Sequence, residues 1–197
     1  TNVSNIESVK FFSQFSDVIV LARELPLEQI KEICDQIKEQ EIKGPSGELL
    51  KIEIFVHGAL CVSISGKCYM SLSLYNKSAN RGECIQPCRR RYKVTDLETN
   101  RELEIDNEYI MSPKDLCTIK FLDQIIASGV SILKIEGRGR SPEYVYTVTK
   151  VYKEASKNFL KGKVDSWLKE LESVYNRGFW HGGYYLGNEL GEWSTSY

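Results

Sequence analysis

Apolar residues follow two alternating periods along this chain. Asp17-Val18-Ile19-Val20-Leu21, Leu50 to Val56 and Val130 to Ile135 are short, mostly apolar runs, the pattern of strands buried on both faces of a parallel sheet. Between them the spacing changes to that of helices. Val9, Phe12 and Phe15 share one face of a predicted helix over 4–15, opened by Ser4 and Glu7 at the spacing of a capping box. Leu27, Ile30, Ile33, Cys34 and Ile37 mark a second helix, after which Lys43-Gly44-Pro45-Ser46-Gly47 forms a turn cluster. Thr118 to Ala127 predicts a third, with Gly129 beyond its end. Ser141-Pro142 opens a long helix that turns Val145, Val148, Val151, Tyr152 and Ala155 inward, and a last helix runs from Val164 to Tyr175.

The rhythm breaks between His57 and Cys117, where five of the six cysteines lie together with a predicted hairpin from Tyr92 to Ile105 that turns near Thr99-Asn100. Four segments follow: strand–helix units over 1–56, a cysteine-rich insertion over 57–117, a final strand–helix unit with C-terminal helices over 118–175, and a Gly- and aromatic-rich tail over 176–197. Alternating helices and strands predict an α/β fold with a parallel sheet. A closed eight-stranded α/β barrel needs about 250 residues, and this chain has 197. The expected architecture is therefore the second half of a TIM-like barrel. Its open strand edges call for the other half, from a missing N-terminal part, a partner chain or another copy.

A hydrophobic share of 42% against 27% charged residues can fill a core. A formal charge of −1 excludes a wholesale basic surface that grips nucleic acid by charge alone, but leaves room for a local basic patch. No apolar run is long enough to cross a bilayer, so no membrane partner is expected, and a cytoplasmic location is. The chain opens on Thr1 rather than Met, so the absence of a signal peptide carries no weight.

Cys34 lies on the buried stripe of its helix and reads as a small hydrophobe. The other five cysteines, Cys61, Cys68, Cys84, Cys88 and Cys117, follow the end of a strand, where barrel sites are built. Disulfides fit poorly with an odd number in an intracellular fold. Zinc ribbons use tight Cys-x-x-Cys knuckles, which the gaps of seven, sixteen, four and twenty-nine residues do not contain. An iron–sulfur cluster tolerates irregular spacing. The chemistry ranks cluster, zinc and disulfide in that order, and the spacing leaves all three open. Gly58, Gly66 and Gly82 each precede a cysteine by two or three residues, as loop glycines or to let backbone approach an inorganic group. Arg81, Arg89, Arg90 and Arg91 surround Cys84 and Cys88, to bind an anion or RNA phosphate or simply to face solvent.

Several stretches resemble one known family. They are Glu53 to Ser71, containing His57-Gly58-Ala59-Leu60-Cys61 and Gly66-Lys67-Cys68-Tyr69-Met70; Asn80-Arg81-Gly82-Glu83-Cys84-Ile85-Gln86-Pro87-Cys88-Arg89; Met111-Ser112-Pro113-Lys114-Asp115-Leu116-Cys117; Lys134 to Val145; and Asn176-Arg177-Gly178-Phe179. Together they resemble the C-terminal part of the catalytic region of the collagenase-like U32 peptidases. The resemblance implies two activities. The family name implies proteolysis, including collagenase activity. Other members are oxygen-independent hydroxylation proteins acting on tRNA wobble uridine, ribosomal RNA or ubiquinone precursors, with a 4Fe–4S cluster held by four cysteines and prephenate as oxygen donor. Carried over by position, the ligands are Cys61, Cys68, Cys84 and Cys117, with Cys88 as the alternative. Aerobic preparation is expected to lose the cluster or replace it with zinc.

A peptidase needs an activated nucleophile or a metal-bound water. The chain offers only His57 and His181, with Ser63 and Ser65 nearby in sequence, and neither His-Glu-x-x-His nor Gly-x-Ser-x-Gly. Hydroxylation calls instead for cationic groups around an anionic donor. Lys134 and Glu136 lie on one side of the third strand by alternation, either as a proton-handling pair with His57 or as a salt bridge closing the core. Arg138 and Arg140, with Arg81, are the candidates for clasping carboxylates. The aromatic segment Phe179 to Tyr185 either stacks a base or caps the barrel. The expectation is hydroxylation of RNA, a tRNA uridine first. The alternatives are a collagenase-like peptidase and a cluster-bearing subunit of a quinone-hydroxylating hetero-oligomer.

Overall fold

The computed structural model describes residues 2–102, 108–187 and 193–196. The three apolar runs form adjacent parallel strands: β1 (Val18–Val20), β2 (Lys51–Gly58) and β4 (Ile132–Ile135). β2 lies between the other two, with Val18 opposite Lys51 on one side and Glu53 opposite Ile132 on the other. A two-residue antiparallel pairing joins the end of β2 to β3 (Asp115–Cys117), which in turn pairs in parallel with β5 (Phe179–Trp180). The fold is thus α/β with a mixed sheet.

Among the described residues, six α-helices accompany the strands: α1 (Ile6–Ser13), α2 (Leu27–Glu39), α3 (Met70–Tyr75), α4 (Leu122–Ala127), α5 (Pro142–Lys157) and α6 (Val164–Glu172). Ile52, Ile54 and Val56 of β2 are buried among Ile30, Ile33, Ile37, Leu122, Ile125 and Val148 of the helices. Because alternate strand residues point to opposite faces, Glu53 and Phe55 project from the other face and are only partly buried. Val18 and Val20 are likewise partly buried, on either side of the buried Ile19.

Details of several predicted elements differ. Asn5, not Ser4, caps α1, its side chain accepting from the backbone N–H of Ser8 at 2.8 Å. Ser141 caps α5 as expected, but the buried stripe runs through Tyr144, Val148, Val151, Tyr152 and Ala155. Val145 is 44% exposed, because the stripe advances by three and four residues from Tyr144 and leaves Val145 at its margin. The 118–127 helix begins as a tight 3-10 turn over Ile119–Phe121, and α6 stops at Glu172 rather than Tyr175. Thr95 pairs with Glu102 across the expected hairpin turn, whose return arm at 103–107 lies outside the described residues. The tail packs rather than projects: Trp180 and Tyr185 are buried, and the Tyr185 hydroxyl donates to the Phe55 carbonyl at 2.6 Å.

Candidate functional site

The thiols are delivered by loop pieces beyond the end of β2. Gly58 closes that strand with φ +105°, and a Cβ there would stand 2.4 Å from the Glu136 carbonyl oxygen. Glycine is needed at this position for backbone packing against the end of β4. The chain then passes Cys61, turns at Gly66, reaches Cys68 and enters α3. Asn76 ends α3 in the left-handed region, Gly82 turns the chain again before Cys84, and Gln86, also left-handed, leads into the short turn Pro87–Arg89 that carries Cys88. Ser71 fixes this path by accepting from the Ile85 N–H at 3.1 Å.

Cys61, Cys68, Cys84 and Cys88 all line one cavity of about 550 Å³ on the partly covered face of the sheet. Its apolar wall includes Val18, Val20 and Phe55, and its polar wall includes Arg23, Arg89, Glu136 and Arg138. Burial pushes the Cys61 and Cys88 thiols up, and Arg23 and Arg89 respectively pull them back. Cys117 is elsewhere. It is fully buried at the end of β3, its thiol pushed up to about 11 by burial. The cavity therefore gathers Cys88 with three of the expected ligands and leaves Cys117 in the core. Among the described residues, no three His, Cys, Asp or Glu side chains stand grouped as a metal site. The donor chemistry, four thiols opening on one space, is that of a thiolate-bound centre.

His57 does not reach the cavity. It is 2% exposed, ringed by Tyr144, Tyr152 and Phe179, with Nδ1 3.3 Å from the Tyr152 hydroxyl. Burial lowers its pKa to about 3, so it is a neutral core residue. His181 turns its Nδ1 to the Cys117 carbonyl at 3.1 Å. Neither histidine lines the cavity. Ser65 donates to the Glu24 carboxylate through both N–H and Oγ, at 2.7 and 3.1 Å, not to a histidine.

Lys134 and Glu136 do not form the expected pair. Lys134 reaches across to Glu53 on β2 at 2.6 Å and lies over the Phe55 ring. Glu136, just past β4, lines the cavity instead and accepts from the Arg138 N–H at 2.9 Å. Arg138 also lines the cavity and donates to the Gly82 carbonyl at 2.5 Å. Arg140 lies away from it, stacked 3.9 Å over Tyr175, and Arg81 is exposed beside the lining residue Asn80. Sequence reasoning missed Arg23, which lies over the Phe55 ring at 4.1 Å and donates to the Ala59 carbonyl at 3.1 Å. The signal was there: a charged pair, Arg23-Glu24, just past the apolar run of a parallel strand, where such folds place their sites.

Comparison with known proteins places this geometry. Residues 1–195 match the profile of Peptidase family U32. A "Collagenase" of Porphyromonas gingivalis is 52% identical over the whole chain, which covers 48% of that protein. An "Uncharacterized protease" of Methanocaldococcus jannaschii is 42% identical over 93% of the chain and 45% of its own length. The "tRNA hydroxylation protein P" of Escherichia coli is 30% identical over 92% of the chain and 48% of its own length. The chain thus spans about half the length of these relatives, and no solved structure matches it. With the family profile covering nearly every residue and relatives on both its protease and hydroxylation branches, the chain belongs to peptidase family U32.

Proposed function

We propose that this chain is the cluster-bearing half of a U32-type α/β barrel that supports oxygen-independent hydroxylation of RNA, with a tRNA uridine as the first substrate to test. The observation that carries this reading is the cavity itself: four cysteines open into it beside three arginines, while neither histidine does. That wall suits a thiolate-bound redox centre and an anionic co-substrate better than peptide hydrolysis. A relative named for tRNA hydroxylation supports the same choice.

Cys61, Cys68 and Cys84 would hold a 4Fe–4S cluster, with Cys88 as the fourth ligand in the present arrangement; Cys117 would have to leave the core to serve. When bound, the cluster supplies a redox-capable, Lewis-acidic iron site. Arg23 and Arg138 orient the carboxylates of a donor of the prephenate type. Glu136 holds the Arg138 loop, and Val18, Val20 and Phe55 exclude water from that side. The half-barrel reading rests on three adjacent parallel strands whose outer members, among the described residues, each pair with β2 alone. The other half, a partner chain or another copy would cover the open sheet face. In that reading the protein works in the cytoplasm, where tRNA is modified. No helix among the described residues is long and apolar enough to cross a membrane.

Iron and acid-labile sulfide are measured on anaerobically purified full-length protein and on single Cys→Ala variants of Cys61, Cys68, Cys84, Cys88 and Cys117. The reading expects near-stoichiometric cluster that is lost without Cys61, Cys68 or Cys84; whether Cys88→Ala or Cys117→Ala also loses it identifies the fourth ligand. Absence of iron and sulfide, or zinc in their place, would overturn it. The collagenase relative, 52% identical across the whole chain, then makes peptide cleavage the reading to test.

A further inference from the structure

Arg89 lines the cavity and, among the described residues, its guanidinium bonds no carboxylate. It is 2% exposed, and its guanidinium donates to three neutral oxygens: the Leu60 carbonyl at 2.6 Å, the Pro113 carbonyl at 2.5 Å and Ser112 Oγ at 2.9 Å. The buried carboxylate of this region is Asp115, which is 3.1 Å from Arg177, both side chains being 3% exposed. Among the described residues, Arg89 and Arg177 are the fully buried guanidiniums and Asp115 the fully buried carboxylate, which leaves one buried positive charge in excess beside the thiols. An uncompensated buried charge is strongly unfavourable, so a fold that keeps one at this spot implies an anion beside it. The bonds have a second consequence. Leu60 precedes Cys61, Arg89 follows Cys88, and Ser112-Pro113 lead into β3, so one side chain ties the Cys61 and Cys88 segments to the sheet.

We propose that Arg89 is the built-in counter-charge of the cysteine cavity, a positioning residue that clamps the Cys61 and Cys88 segments together and balances the negative charge of a thiolate-bound centre. This rests on the reading of the thiols as ligands but not on which centre they hold, because four thiolates around either a divalent ion or a cubane cluster leave net negative charge. Arg89 touches no substrate in this scheme. It acts through the cysteines.

The test uses the intact, anaerobically reduced protein with Arg89→Lys and Arg89→Met. Cobalt(II) serves as a probe through its thiolate charge-transfer absorbance, and the potential of the reconstituted cluster is followed by dye-mediated titration. Arg89→Met is expected to weaken cobalt binding at least tenfold and to make the cluster potential more negative. Arg89→Lys keeps the charge but loses the fork, so it is expected to retain the potential while recovering only part of the affinity. Arg89→Gln replaces Met as the neutral variant if Arg89→Met does not fold. Unchanged affinity and potential in the neutral variant, or an equal fall of potential in the Lys and neutral variants, would overturn the counter-charge role. A wild-type protein that binds cobalt but takes up no iron and sulfide leaves Arg89 to be judged on affinity and removes the redox reading instead. One that binds neither leaves Arg89 no anionic centre to serve and ends this proposal.

Discussion

Tyr152 shows how much of the molecule hangs on single polar atoms beneath the cavity. Its buried hydroxyl donates to the Val56 carbonyl at 2.9 Å, accepts from the Thr118 N–H at 3.1 Å, and lies 3.3 Å from His57 and 4.0 Å from the Cys117 sulfur. Tyr152→Phe removes every one of these contacts at constant shape and is expected to cost about 1–3 kcal/mol, read from urea unfolding. His57 adds a pH dependence. Its folded pKa of about 3 lies below the ordinary 6.5, so between these values the unfolded chain binds a proton that the folded chain refuses. Stability is full above pH 6.5 and falls as the pH drops toward 3. Urea melts across this window are expected to show an added slope of about 1.4 kcal/mol per pH unit, absent in His57→Phe.

At the scale of elements, Gly58 joins a strand end to a thiol loop. Gly58→Ala meets both an unfavourable φ and a backbone oxygen at 2.4 Å, and a loss of roughly 2–4 kcal/mol is expected by thermal or urea unfolding. The elements that the sequence made legible are those whose periodicity runs long enough. The β1, β2 and β4 runs and the stripes of α2 and α5 repeat over several residues, and each appears near its expected place. β3 and β5 have three and two residues, too few to show alternation. α3 also escaped: Met70–Tyr75 has Leu72, Leu74 and Tyr75 exposed, so no buried face marks it. In the site, the resemblance led to the expectation that Cys61, Cys68 and Cys84 would converge, but not that Cys88 rather than Cys117 would join them, since left-handed turns at Asn76 and Gln86 shape the path of this loop. His57 was a catalytic candidate against a commoner structural role, and it is a core residue because the chain around it closes on three aromatic rings.

For the whole molecule, the sheet has one face packed by helices and one only partly covered. Phe11 and Phe15 of the α1 region are 55% and 69% exposed, and Phe12 and Phe15 extend the cavity wall toward this side. Apolar surface next to open strand edges favours association. The 197-residue chain is therefore expected to form oligomers in sedimentation velocity, and Phe15→Glu to shift it toward monomer. If the half-barrel proposal holds, adding the part of a relative that this chain does not span is expected to do the same.

The bonds that shape the cavity span long stretches of chain. Arg89 reaches back to Leu60 and forward to Pro113, Ser65 to Glu24, Arg138 to Gly82, and Tyr185 to Phe55. Contacts between such distant segments close late, after local helices have formed and the entropy of loop closure has been met. During synthesis, the four cavity thiols consequently pass through a period in which they are separate, accessible and chemically independent. On the cluster reading proposed above, assembly of the site would be a matter of timing as well as affinity: a metal delivered before the sheet closes would meet scattered cysteines, and one delivered afterwards would meet a cavity.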